Sequence, residues 1–500
     1  MSRTVDADFL ALPLSHLTDA AISTAKSLGA SHVDVRVERT RTGVLSLRDA
    51  KPETQSDETI IGIGVRVIVN GAWGFASSPD LSADTANRLA TTAVAMAKTS
   101  KPLSTELVSL VNEPAYPNKT WVSSYEIDPF SISDSERKDR LASLSSKLLA
   151  SNSVNHTSAM TMYVKEQKHY ADSNGTSTTQ QRVRIQTQIE AISIGEHGFE
   201  SMRTLAQPAG FGWEWMGNSI WNWDKEIDEL PNLLAEKVKS PSVQPGKYDL
   251  LIHPSNLWLT IHESIGHATE LDRAMGYEAN YAGTSFATPE KLGNLKYGSK
   301  LMNVTGDRLT EHGLSTVGWD DEGVAAQRWD IVKDGVLVGY QLDRRIAARV
   351  NQERSNGCAF ADSPAHVPIQ RMPNVSLQPN PTGPSLDELI SSVEDGIYIL
   401  GDKSWSIDMQ SYNFQFTGQQ VHRIKNGKLA GQLKDVAYQA TTTDFWGAMK
   451  AVGGPSTYVL GGAFNCGKAQ PGQVAAVSHG CPAAIFDKIN ILNTVAEAGK

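Results

Sequence analysis

His262-Glu263-Ser264-Ile265-Gly266-His267 is the stretch on which this chain turns, set between Ser255-Asn256-Leu257-Trp258-Leu259-Thr260-Ile261 and Ala268-Thr269-Glu270-Leu271-Asp272. Two imidazoles suit a divalent transition metal, and a carboxylate beside one of them can take a proton from an attacking water. In zinc helices of the form H-E-x-x-H the histidines lie four apart and share one face. Here they lie five apart, so on a regular helix of 3.6 residues per turn they diverge by ~140°. The spacing therefore predicts an irregular helix that starts near Ser255, after Pro254, and is disturbed around Ile265-Gly266. Glycine makes a break cheap there, and π-bulges mark functional sites in helices. The blander reading is two histidines and a glutamate on a solvated helix face.

Upstream, Tyr248-Asp249-Leu250-Leu251-Ile252 reads as a strand feeding this helix, and Ser240-Pro241-Ser242-Val243-Gln244-Pro245-Gly246 as a linker. This predicts an N-terminal domain over 1–239, a linker over 240–246 and a C-terminal domain over 247–500. In the first, residues 15–29 read as a capped helix. Val33, Val35 and Val37 mark a strand, and Ile61 to Val69 runs through Asn70-Gly71 into Ala72-Trp73-Gly74-Phe75 as a hairpin. Helices follow over 82–98 and 133–150, the second with Ser133 and Glu136 at capping-box spacing. Tyr163 to Tyr170, Asn174-Gly175 and Val183 to Ile194 then read as a longer hairpin with one polar face. Trp213, Trp215, Trp221 and Trp223 crowd a stretch with few regular signals, which points to packing between two domains ahead of a groove lining. Beyond the metal helix the chain reads as short strands, with hairpins at Asp334-Gly335 and Asn426-Gly427 and a helix over 386–393. The fold class is α+β: a mixed N-terminal domain with an antiparallel sheet, then a β-rich domain opened by the metal helix.

Five hundred residues, 40% apolar and 20% charged, exceed one core and fit two or three domains. A net charge of −9 gives no broad basic field, which argues against nucleic acid or an anionic membrane as the main partner. The first eight residues, Met1 to Asp8, lack a signal-peptide core, and no run of about 18 apolar residues occurs, so the expectation is a cytoplasmic protein. Three cysteines make no disulfide framework.

A catalytic zinc usually has three protein ligands, so a third must come from elsewhere. Cys466, in Gly461-Gly462-Ala463-Phe464-Asn465-Cys466-Gly467-Lys468, has glycines that allow close backbone approach and a lysine that favours thiolate. Cys481, in His479-Gly480-Cys481-Pro482, is its rival and Cys358 a weaker one.

Five ordered matches make the reading specific. They are Gly62-Ile63-Gly64-Val65-Arg66-Val67 leading to Gly71-Ala72-Trp73-Gly74-Phe75-Ala76; the H-E-x-x-x-H stretch followed by Glu270; Asp320-Asp321-Glu322-Gly323; Arg371-Met372-Pro373-Asn374; and Asn465-Cys466-Gly467-Lys468 with Gly472-Gln473. Over nearly its whole length the chain resembles a TldD-type, catalytic member of the TldD/PmbA metallopeptidase family. The resemblance implies one zinc per chain on His262, His267 and Cys466, with Glu263 as catalytic base, and raises Cys466 above its rivals. Glu270 stands where it could orient an imidazole. The resemblance further implies hydrolysis of unfolded or extended peptides, including processing of a modified peptide precursor. Pairing of peptide backbone with an exposed strand would suit such substrates. It also implies a heterodimer with a metal-free TldE/PmbA-type subunit, with a homodimer as the alternative. Two rivals stand beside this reading: a non-catalytic peptide-binding or regulatory subunit, and a hydrolase with Cys466 as nucleophile. One departure is Gly357-Cys358-Ala359-Phe360-Ala361-Asp362-Ser363, where family members often carry a basic pair and this chain has no basic residue.

Overall fold

Val33, Val35 and Val37 alternate with Asp34, Arg36 and Glu38, so this strand has one apolar and one charged face. In the computed structural model, which describes residues 4–195 and 198–496, it becomes His32–Arg48 inside a seven-stranded sheet. The first three residues of the N-terminal stretch read above lie outside the described residues. Lys51–Val69 and His156–Asp172 flank it antiparallel, and Ser177–Gly195 pairs beyond. Asn70 and Gly71 both take positive φ in the turn to Ala72–Ser78, as a two-residue hairpin requires. Gly198–Arg203 adds antiparallel, and Lys119–Val122 adds parallel.

Among the described residues four long helices cover the apolar face, and the short helix Ala7–Leu10 adds Phe9 to it. Leu14–Ser27 and Ala83–Ser100 bury the valines of the first hairpin, and Asp134–Leu149 and Trp223–Lys239 bury Leu45, Ile185 and Ile189. Ser82 caps the second helix from Thr85 (3.3 Å), and Ser133 caps the third through Glu136 N–H (3.2 Å), one half of the capping box. Leu14–Ser27 differs from expectation: it begins at Leu14, one residue before Ser15, behind Pro13 in the N-cap place and with no side-chain cap. Trp223–Lys239 was not legible as a helix, because it opens inside the tryptophan run and carries Pro231. The tryptophans also correct the domain-packing expectation. Trp213, Trp215 and Trp223 lie in the core beneath the N-terminal sheet, with Trp223 Nε1 donating to the Trp215 carbonyl (2.7 Å).

The charged face is buried too, against residues from the C-terminal half. Arg66 joins Asp34 (2.8 Å) to Glu322 (3.0 Å), and Lys168 meets Asp321 (2.8 Å). Asp320 accepts from the backbone of Glu322, Val324 and Ala359, which fixes the Asp320-Asp321-Glu322-Gly323 turn against the sheet.

The C-terminal half is built on a closed ring. Gly246–Ile252 pairs parallel with Asp395–Ile407 and antiparallel with Ala484–Asn493. Val436–Thr441 and Asn413–Lys425 continue from there, and Asn413–Lys425 returns to Asp395–Ile407. Val243 N–H donates to Lys434 (3.0 Å), so the stretch before the first ring strand lies along the ring. Asp334-Gly335 and Asn426-Gly427 both turn hairpins with positive φ. Helix Leu386–Ser391 forms with a full capping box, and Arg344–Arg349 and Thr442–Gly447 add two short helices. Helix Pro254–Ile261, buried along its length, leaves the ring after Ile252. Asn256 anchors it, donating to the carbonyls of Gly401 and Thr417 (2.9 Å each) and accepting from Tyr438 (2.8 Å). The architecture is α+β, and among the described residues no helix is long and apolar enough to cross a membrane.

Candidate metal centre

The helix does not break at Gly266. It widens into a π turn over His262–Gly266 and then tightens into a 3-10 turn over His267–Thr269. With more than four residues in the wider turn, positions five apart return to one side, and the His262 and His267 rings stand 4.7 Å apart. Displaced carbonyls find new donors: Tyr297 donates to Ser264 O (2.5 Å) and Gln341 Nε2 to Gly266 O (2.6 Å). Gly266 serves close packing rather than a break. It keeps helical φ, and a Cβ there would lie 2.6 Å from the Met372 sulfur.

Cys466 arrives on a second element with an inserted residue. Strands Val459–Ala469 and Gly472–Cys481 form a two-stranded ribbon, in register at Ala463 with Val477 but shifted by one at Cys466 with Ala475. Such a bulge re-aims side chains. Here the Cys466 sulfur comes 3.7 Å from Nε2 of His267. One ligand atom from each of His262, His267 and Cys466 lies within 4.8 Å of the others. Tetrahedral zinc, with bonds of ~2.0–2.1 Å to nitrogen and ~2.3 Å to sulfur, places such atoms ~3.5 Å apart, so the donor set fits zinc.

Neighbours hold each donor. Nδ1 of His267 faces Glu270 Oε2 (2.9 Å), leaving Nε2 toward the sulfur. Glu270 is itself buried beside Lys468 (3.4 Å), which also meets Asp272 (2.7 Å). Burial would raise the Glu270 carboxyl, but Lys468 and His267 outweigh it and hold it far below its ordinary range. Burial likewise opposes an imidazolium at His267, yet the Cys466 sulfur and Glu270 push that ring up to about 10 in the metal-free chain. His262 is driven the other way by burial and then by the charge of His267. Arg371 donates to the Cys466 carbonyl (2.6 Å) and sulfur (3.3 Å), which gives the Arg371-Met372-Pro373-Asn374 motif a place in the centre. His479 stands against His262, with 2.7 Å between Nε2 of His479 and Nδ1 of His262.

The three donors and Glu263 line a cleft of about 420 Å³ between the two halves of the chain. Gln186 and Gln188 face them from the N-terminal sheet, and Trp405 and Phe464 from the C-terminal half. Burial raises the Glu263 carboxyl, which suits a group that must take up a proton. Among the described residues the ribbon has two strands, so Val459–Ala469 pairs with another strand along one edge, and its residues Gly462 to Gly467 line the cleft.

The other cysteines lie apart from this group. Cys481 is fully buried and touches the Pro254 carbonyl (3.7 Å), and burial pushes the Cys358 thiol up to about 12. Where the basic pair is missing, the Phe360 ring is faced by Lys168 (4.3 Å) and Arg182 (5.3 Å) from the N-terminal sheet. Sequence reasoning missed His479 and gave Arg371 no role. His479 drew notice only as a neighbour of Cys481, and nothing local marks it.

Residues 245–493 match the family model described as PmbA/TldA metallopeptidase C-terminal domain, and residues 33–97 match that of PmbA/TldA metallopeptidase domain 1. A metalloprotease of Methanocaldococcus jannaschii is 26% identical over 84% of this chain and 89% of its own. A zinc metalloprotease TldD homologue of Saccharolobus solfataricus is 22% identical over 94% of this chain and 98% of its own. Among solved structures, TldE from Thermococcus kodakarensis shares the fold, with a TM-score of 0.72 at 14% identity over 95% of this chain and 99% of that one.

Proposed function

The chain belongs to the TldD/PmbA metallopeptidase family, and from that premise we propose that it is a zinc-dependent peptidase acting on unfolded or extended peptides. The observation that carries this is the meeting of His262, His267 and Cys466 beside Glu263 in one cleft. Zinc bound there supplies a Lewis acid that polarises the scissile carbonyl and lowers the pKa of water.

The chain's own residues do the rest. Glu263, held partly out of water, takes a proton from the attacking water and returns it to the leaving amine. Glu270 fixes the His267 ring, and Arg371 fixes the Cys466 strand by its bonds to Cys466 and Gln473. The edge of Val459–Ala469 away from its partner strand offers backbone groups over Gly462 to Asn465 to an extended peptide, which selects chain conformation over side-chain identity. The N-terminal sheet closes the opposite wall of the cleft. The proposed partner is a metal-free TldE/PmbA-type subunit, in keeping with the shared fold.

The test uses protein purified without chelators. We expect about one zinc per chain and cleavage of an unfolded peptide that chelation abolishes and added zinc restores. Gel filtration with and without a TldE-type subunit reads the pairing. A chain that takes up no zinc would end the hydrolytic reading and leave a peptide-binding subunit in its place.

A further inference from the structure

Every ligating imidazole has a second nitrogen, and at His262 its partner fixes the proton arrangement. Nδ1 of His262 lies 2.7 Å from Nε2 of His479, and Nδ1 of His479 lies 2.8 Å from the carbonyl oxygen of Val375. A carbonyl can only accept, so His479 carries its proton on Nδ1. Its Nε2 is then a lone pair, and His262 must donate to it from Nδ1. That leaves Nε2 of His262 bare. The reverse arrangement would set two acceptors against each other at Val375. A doubly protonated His479 would place a charge in a site with 0% exposure, where both of its nitrogens face neutral groups.

We propose that His479 is a positioning residue of the metal centre: through the Val375 carbonyl it fixes the tautomer and aim of His262, so that Nε2 of His262 is presented to the metal. Packing fixes the relay in space. Trp258 stacks on His479 at 10°, and the His262 ring stands at 70° to it. The imidazole also packs on the π turn, its Cε1 standing 3.5 Å from where a Cβ on Gly266 would be, an ordinary van der Waals distance. The two histidine ligands are thereby unequal. His267 donates to a carboxylate and His262 to a neutral ring, so His267 is the more electron-rich donor.

The inference rests on the metal-site reading above, and its test separates the two. A glutamine carboxamide reaches the place of Nε2 and can still accept from His262, whereas that of asparagine reaches only the place of Nδ1 and can still serve Val375. Zinc affinity is measured by chelator competition on the native chain, His479→Gln and His479→Asn, with the melting temperature of each metal-free form. We expect His479→Asn to lose ~10- to 100-fold in zinc affinity and His479→Gln to stay within about threefold of native. Equal losses in the two variants, or no loss in either, would overturn the proposal, since a role in packing alone treats them alike. A second reading needs neither metal nor variant folding. Long-range nitrogen–proton correlation on metal-free protein labelled with ¹⁵N-histidine should show His262 protonated on Nδ1, and protonation on Nε2 would overturn the relay even if zinc binds. Failure of the native chain to bind zinc, with Nδ1–H observed, would sink the metal site and keep the hydrogen-bond chain.

Discussion

The His262 and His267 rings stand 4.7 Å apart at 73° because a single π turn, and not a regular helical turn, lies between them. The extra residue survives because Gly266 lets Met372 pack directly on the turn. Gly266→Ala should cost about 1–3 kcal/mol, the usual range for overpacking a filled core, and weaken zinc binding by tilting His267. Urea unfolding and chelator competition read the two effects. Adding Met372→Ala should cost less than the sum of the two single changes, because the same contact is at stake. Strict additivity would show that Gly266 matters for another reason.

Glu263 lines the cleft without belonging to the three-donor group. Replacing it with glutamine keeps shape and removes the base. Peptide cleavage should fall about 10²–10⁴-fold while zinc content stays at the native level. Loss of zinc along with activity would instead make Glu263 part of the metal site.

What the sequence shows and hides follows the range of the forces involved. Asn70-Gly71, Asp334-Gly335 and Asn426-Gly427 turn as read, because a two-residue hairpin needs positive φ locally and these pairs supply it. The histidine spacing announces a disturbed helix, since five residues cannot close on a regular one, but it cannot say that the disturbance is a continuous π turn. That depends on Met372, Tyr297 and Gln341, which arrive from elsewhere in the chain. Lys168 and Arg182 lie on the two strands of a hairpin with a polar face. Nothing near them reveals that Asp321 and Phe360 will bury it. His479 is silent for the same reason, its partners being His262 and the backbone of Val375.

The buried Lys168–Asp321 pair (2.8 Å) ties the N-terminal sheet to the turn that opens with Asp320. Removing one partner leaves the other charged and dry. Asp321→Ala should therefore destabilise by about 3 kcal/mol, read as a shift in the urea midpoint. Glu38 (3.6 Å) and Glu166 (3.7 Å) also face Lys168 and keep the loss from growing larger. A single-variant cost under half a kcal/mol would show that the pair behaves like an exposed one.

His253 gives helix Pro254–Ile261 a pH limit of its own. It is the N-cap of Pro254–Ile261, and its Nδ1 accepts from Ser255 N–H (3.2 Å), which requires a neutral ring. Burial pulls His253 down from 6.5 to about 4. Between those values the unfolded chain binds a proton that the folded chain refuses. The contribution is therefore complete above pH ~6.5, declines as pH falls, and is gone by pH ~4, an order-of-magnitude total of about 3 kcal/mol. Asparagine caps helices well and does not titrate here, so His253→Asn should keep the helix and flatten this part of the profile. Urea midpoints for both proteins at pH 7, 5.5 and 4.5 test it, with the native chain losing more on acidification. Parallel profiles would show that His253 already carries its proton in the folded state and that another group caps the helix.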